Sequence, residues 1–170
     1  MYSSERLKGI DVFVSVVDAG SFTAASERLN LTNSAVGKAV ARLESRLGVR
    51  LFERTTRRLS LTDAGQAFHR TCQRVLGELE EASALYRKCV ALDPSFFDGW
   101  HALGMCLLKL GQVKESIGCG LQATTLRPND LLAWTALSQM YVRDGQIAEA
   151  ETAKGNARIL SLGGKVVRDA

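Results

Sequence analysis

Residues 11–65 read DVFVSVVDAGSFTAASERLNLTNSAVGKAVARLESRLGVRLFERTTRRLSLTDAG, and their spacing decides the first half of the fold. Ile10, Phe13, Val14 and Val17 recur at helical intervals, which predicts a first helix over residues 4–18. Ala19-Gly20 stops it. Ser21 is placed to cap a short, Ala-rich helix over residues 22–29, because its hydroxyl can accept from an unpaired first-turn N–H. Asn30-Leu31 breaks that helix and Thr32 caps a third. The third helix turns Ala35, Val36, Ala39, Val40, Leu43 and Leu47 inward. It shows Asn33, Ser34, Lys38, Arg42 and Arg46 on the opposite face, and Gly48 ends it.

Two helices joined by a short turn, the second opening on small polar residues with cations further on, form the helix-turn-helix layout. The major groove admits a helix only where the nearest side chains are short or carry donors and acceptors for base edges. Asn33 and Ser34 meet that need, Gly37 allows close backbone approach, and Lys38 and Arg42 reach bases or phosphates. After Gly48 the period changes. Leu51-Phe52 and Leu59-Ser60-Leu61 flank Arg54-Thr55-Thr56-Arg57-Arg58, which reads as a short two-stranded wing with a basic tip. Such a tip presents arginine to the backbone or the minor groove.

Charge follows the same division. Residues 1–75 hold 12 Lys/Arg against 7 Asp/Glu, a net of +5, whereas residues 76–170 carry a net of −1. Lys38, Arg42, Arg46, Arg50, Arg54, Arg57 and Arg58 fall within 21 residues. On charge alone this stripe fits a polyanion, DNA or RNA first, and a solvated helix face equally well.

In order and spacing, residues 5–82 resemble the winged helix-turn-helix domain of LysR-type transcriptional regulators. The resemblance implies sequence-specific binding of double-stranded DNA by dimers or tetramers. It places Thr32, Asn33, Ser34, Gly37, Lys38 and Arg42 on the recognition helix, and Arg54, Thr55 and Arg57 on the wing. Many relatives carry Gln-Pro or Gln-Ser where this chain has Asn33-Ser34, and Ser where it has Gly37, which leaves the target sequence open.

A fourth helix begins at Thr62. Along it Phe68, Cys72, Val75, Leu79, Ala82, Tyr86 and Cys89 alternate spacings of four and three, an apolar seam of about three heptads. In the resembled family this is the linker helix that pairs two protomers, so Phe68, Cys72, Val75, Leu79 and Ala82 are the expected homodimer contacts. The residues alone also allow a helix packed on its own chain, the less favoured of the two readings.

The second half repeats. Pro94 and Pro128, Trp100 and Trp134, Leu103 and Leu137, Gly111 and Gly145, and Gln112 and Gln146 are each 34 residues apart. That period over residues 76–164 is similar to the tetratricopeptide repeat. Residues 97–130 and 131–164 form two repeats, and 76–96 look like the second helix of an incomplete earlier one. Gly118 and Gly120 weaken the pattern, since glycine costs helix stability. The repeat pattern puts His101, Met105, Lys109, Thr135, Gln139 and Arg143 on a concave face open to a protein or peptide partner. Trp100 and Trp134 read as core.

The expected architecture is mainly α, with a winged helix-turn-helix and small β-wing over 1–62, a linker helix over 63–92, repeat helix pairs over 93–164 and a tail over 165–170. Nothing after residue 92 alternates strand and helix, so the large inducer-binding α/β domain usual in LysR-type regulators is expected to be missing. No apolar run approaches the ~18 residues of a membrane span, and the polar start precedes no secretory core. A cytoplasmic, nucleoid-associated protein without membrane partners is the default. Cys72, Cys89, Cys106 and Cys119 form no C-x-x-C pair and read as buried thiols. His69 and Cys72 share a helix face but lack further ligands at close spacing, so neither a metal nor a cofactor is expected. No Gly-rich phosphate loop, H-E-x-x-H or G-x-S-x-G occurs, which argues against an enzyme. The leading expectation is a dimeric transcription regulator. The rival is a helical-repeat interaction scaffold, a natural fusion or engineered chimera without productive DNA binding.

Overall fold

The computed structural model describes residues 9–53 and 59–166 and places eight α-helices and no extended strand among them. The chain divides into two compact units, residues 1–75 and 76–170. One helix, α4 (Asp63–Leu92), runs across that boundary.

In the first unit, α1 (Ile10–Ala19), α2 (Phe22–Arg28) and α3 (Asn33–Leu47) follow the expected order. Ser21 Oγ accepts from Ala24 N at 3.0 Å and Thr32 Oγ1 from Ala35 N at 3.2 Å, so both hydroxyl caps satisfy first-turn donors that have no partner inside the helix. Between them Asn30 adopts φ 52°, a left-handed turn that asparagine tolerates better than most residues. Phe13 is the centre of the core: it is fully buried and packs on Phe52 and Phe68 at ring separations of 5.4 and 5.3 Å. Burying one such ring contributes about 2–3 kcal/mol. Val36, Val40 and Leu43 supply the inward face of α3. Leu47, expected inward, is exposed in the last turn, which little else covers.

The wing is reduced among the described residues to its base. Phe52 and Leu61 form one antiparallel bridge, flanked by Glu53 N donating to Ser60 O and Thr62 N to Leu51 O. Thr62 Oγ1 donates to Arg50 O at 2.7 Å and accepts from Gly65 N at 2.9 Å, so one hydroxyl closes the wing and caps α4. The basic tip, with Arg54, Thr55 and Arg57, lies outside the described residues, as does the expected start of the first helix at residue 4.

In the second unit the 34-residue period becomes a repeated bonding pattern. Helices α5 (Phe97–Lys109), α6 (Val113–Leu126), α7 (Leu131–Asp144) and α8 (Ile147–Ser161) pack as the pairs α5/α6 and α7/α8. Trp100 Nε1 donates to Pro94 O at 2.9 Å and Trp134 Nε1 to Pro128 O at 2.7 Å. Gln112 N donates to Leu107 O and Gln146 N to Tyr141 O, closing both inter-helix turns alike. Trp134 is buried and Trp100 half-buried, and each indole satisfies its one donor. The end of α4 serves as the second helix of an incomplete repeat: Tyr86 and Val90 pack with Leu103 and Leu107 of α5. Arg87 bonds Glu115 of α6, which holds that carboxyl below its usual range, although both side chains are too exposed for the pair to add much stability.

Gly120 has a reason that the repeat pattern did not reveal. A Cβ there would lie 2.8 Å from Met140 Sδ and 3.0 Å from Leu137 Cδ1, so its lack of a side chain lets α6 and α7 approach. Gly118 faces open space. The thiols also divide. Cys72 and Cys119 are buried, Cys106 is half-buried and Cys89 is exposed on α4. No described helix is long and apolar enough to cross a membrane.

Candidate nucleic-acid interface

α3 presents a continuous outward face. Thr32, Asn33, Ser34, Lys38 and Arg42 are exposed, and Gly37 is half-buried with nothing within 4 Å of where a Cβ would sit. Ala41 and Ser45 extend this face, one helical turn beyond Gly37 and Arg42 in register, and were not singled out in the sequence. Among the described residues, neither Lys38 nor Arg42 makes an ion pair. Short polar groups thus sit at the N-terminal end of the helix and uncommitted cations one and two turns later. This order can read base edges first and hold phosphates second.

Three side chains of the first unit, two of them on α3, make contacts that the sequence does not mark as pairs. Glu44, on its half-buried side, accepts from Leu51 N at 2.7 Å and Phe52 N at 3.2 Å through Oε1, so α3 itself carries the base of the wing. Asn33 Nδ2 donates to Thr23 Oγ1 at 3.3 Å and bridges α3 to α2. His69 of α4 places Nε2 3.5 Å from Asp18 Oδ1 while its ring meets the Phe13 edge. Only Glu44 had a sequence signal, as the lone acid amid the cations of α3.

The expected dimer residues lie along the first two thirds of α4. Phe68 is occupied by Phe13 within its own unit, Cys72 is buried, and Val75, Leu79 and Ala82 are half-buried. Leu85, at 61% exposure, and Leu92, at 87%, lie uncovered with Cys89 at positions spaced four and three apart. Burial pushes the Cys72 thiol above its ordinary range, which disfavours a metal-binding thiolate, and no cluster of three metal-ligating side chains occurs among the described residues.

On the repeats, Thr135, Gln139 and Arg143 are exposed. His101 stacks on the Phe97 ring at 6.0 Å. Met105 packs against the α7 cluster instead of lining an open groove, because α7 lies close enough to cover it.

Residues 7–66 match the family model of the bacterial regulatory helix-turn-helix protein, lysR family, and residues 85–117 match that of the tetratricopeptide repeat. Over 73 residues, 43% of this chain, the sequence is 52% identical to an HTH-type transcriptional regulator of Xanthomonas campestris pv. campestris and covers 21% of it. It is equally identical over 73 residues to the HTH-type transcriptional regulator CrgA of Neisseria meningitidis serogroup C, covering 24% of that protein. The chain therefore spans less than a quarter of either relative's length. A solved structure of MamA (AMB-1) superposes on 84% of this chain and 76% of its own, with a TM-score of 0.50 at 19% identity, a likeness of fold alone. Neither matched family model is that of an enzyme. One chain thus joins a lysR-family helix-turn-helix segment, whose third helix shows the outward face described above, to a tetratricopeptide-repeat segment.

Proposed function

We propose that the protein is a sequence-specific, double-stranded-DNA-binding transcription regulator of the LysR type, acting in the cytoplasm on the nucleoid. The observation that carries this reading is the exposed face of α3, polar at Asn33 and Ser34 and cationic at Lys38 and Arg42. Arg54, Thr55 and Arg57 supply the wing contacts in the same reading. Residues 93–166 fold as helix pairs, and the proposal assigns no inducer site to them.

The test is duplex binding against salt. Binding to random-sequence duplex should fall steeply between low and physiological salt, because each neutralised phosphate releases counterions. Arg42→Ala should weaken binding roughly tenfold, and both it and Arg54→Ala should flatten the salt slope by about one, the share of a single neutralised phosphate. Fluorescence anisotropy reads both. Salt-independent binding, unchanged by either substitution, contradicts the proposal.

The active species is a dimer paired through α4. The support is the uncovered stripe of Leu85, Cys89 and Leu92 together with half-buried Leu79 and Ala82, an apolar face that a first repeat helix would otherwise cover. Light scattering at micromolar concentration should return twice the chain mass of 18.5 kDa. A stable monomer contradicts it.

A second reading, a repeat scaffold that binds a protein or peptide, is favoured by two open grooves at equivalent places in successive repeats. One, of about 510 Å³, lies beside Trp100, Leu103 and Glu115. The other, of about 330 Å³, lies beside Trp134, Leu137 and Glu149.

A further inference from the structure

Thr23 lies on α2, outside the face that reads DNA in the proposed function, yet its hydroxyl accepts from the side chain that opens that face. Asn33 is the first residue of α3 and Thr23 the second of α2; both are exposed, and the Nδ2 to Oγ1 distance is 3.3 Å. A side-chain amide has one carbonyl acceptor and two N–H donors, and a terminal amide torsion is broad unless something holds it. With one N–H directed at Thr23, the torsion is restrained. The carbonyl and the second N–H remain for the groove.

A free acceptor beside a free donor on one amide matches one base edge. Adenine offers the N6 amino donor and the N7 acceptor side by side in the major groove, and an asparagine amide pairs with both. Guanine offers two acceptors there, cytosine one donor, and thymine one acceptor and a methyl group, so none satisfies both halves of the amide. An amide free to rotate would present its donor and acceptor in either order and discriminate less.

We propose that Thr23 is a positioning residue for base selection: it orients the Asn33 amide so that the protein prefers adenine at one position of each half-site. This rests on the DNA-binding reading above. The hydroxyl of Thr23 touches no base in the proposal. Its effect passes through Asn33, so specificity should change while phosphate-driven affinity should not.

The experiment is selection of bound sequences from a random duplex pool, run in parallel for the wild type, Thr23→Val, Thr23→Ser and Asn33→Ala, with anisotropy on a non-cognate duplex across salt. Thr23→Val keeps the shape and removes the acceptor, and its exposed site makes a folding defect unexpected. The wild type should favour adenine at one position by roughly tenfold, the discrimination one good bidentate contact supplies. Thr23→Val should reduce that preference to about threefold or less and leave the non-cognate affinity and salt slope unaltered. Thr23→Ser should restore it, and Asn33→Ala should abolish it. A Thr23→Val pool identical to the wild-type pool overturns the proposal, as does an adenine preference that survives Asn33→Ala. In either case an intact salt slope leaves the DNA-binding reading standing. A wild type that captures no duplex even at low salt overturns both.

Discussion

Gly65→Ala should destabilise the N-terminal unit by about 3 kcal/mol or more, while the same substitution at Gly77, in the same helix, should stabilise by about 0.5–1 kcal/mol. The opposite signs come from what each new methyl group would meet. At Gly65 an added Cβ would lie 2.0 Å from the carbonyl oxygen of Leu51 and 2.9 Å from its carbon, and neither is the movable end of a side chain. That carbonyl already accepts from Thr62 N, and Leu51 N is bound by Glu44. Moving it would strain the base of the wing, and moving α4 instead would disturb the Phe13–Phe68 contact. At Gly77 nothing lies within 4 Å, so alanine there only removes glycine's conformational cost in a helix. For a unit of this size, Gly65→Ala should lower the melting temperature by roughly 12 °C or more. Circular-dichroism melts of the two variants check both halves. Equal shifts of the same sign would show that the close approach of α4 to Leu51 is not present.

Glu44→Ala should cost about 2 kcal/mol. One carboxylate oxygen satisfies two backbone donors, Leu51 N and Phe52 N, at the point where the chain leaves α3 for the wing. Phe52 is itself buried against Phe13 and Phe22. Without the acceptor, two N–H groups beside the aromatic core are left unpaired, and each costs about 1–3 kcal/mol where water does not replace the carboxylate. Water reaches the half-buried site in part, so the lower end of the combined range applies. Glu44→Gln keeps an acceptor in place and should recover most of the stability. Denaturant melts separate the variants. Duplex binding should follow the same order, because Glu44 ties the wing to the helix that carries Asn33 to Arg42. A Glu44→Ala protein with unchanged stability and affinity would show that the wing base is held by the Phe52–Leu61 bridge alone.

Much of the fold was legible because it depends on local chemistry. Hydroxyls at Ser21 and Thr32 sit where a helix begins with unpaired donors, and both cap as their positions imply. The 34-residue spacing of proline and tryptophan returned as the same indole-to-carbonyl bond in both repeats. The outward face of α3 followed from its inward one. What stayed hidden depends on which element covers another. Periodicity marked Phe68 as apolar but could not say that Phe13 would cover it, and the same limit left Met105 on a face that α7 closes. Cys89, read as a buried thiol, is exposed on α4, whose end is the second helix of a repeat that lacks its first. Long-range side-chain contacts were the least visible: the Asn33 to Thr23 hydrogen bond crosses ten positions and the approach of His69 to Asp18 joins separate helices, with no local pattern marking either pair. Gly120 was read as a weakness of α6 for a related reason, since its value lies in Met140 on the next helix.

In the proposed function the α3 face from Thr32 to Arg42 enters the major groove of a duplex. Nuclear magnetic resonance of the isotope-labelled chain, titrated with a short duplex at low salt, addresses it residue by residue. The largest shift changes and line broadening should fall on Thr32, Asn33, Ser34, Gly37, Lys38 and Arg42, and fade as salt is added. Changes confined to α5–α8, or no changes at all, would contradict it.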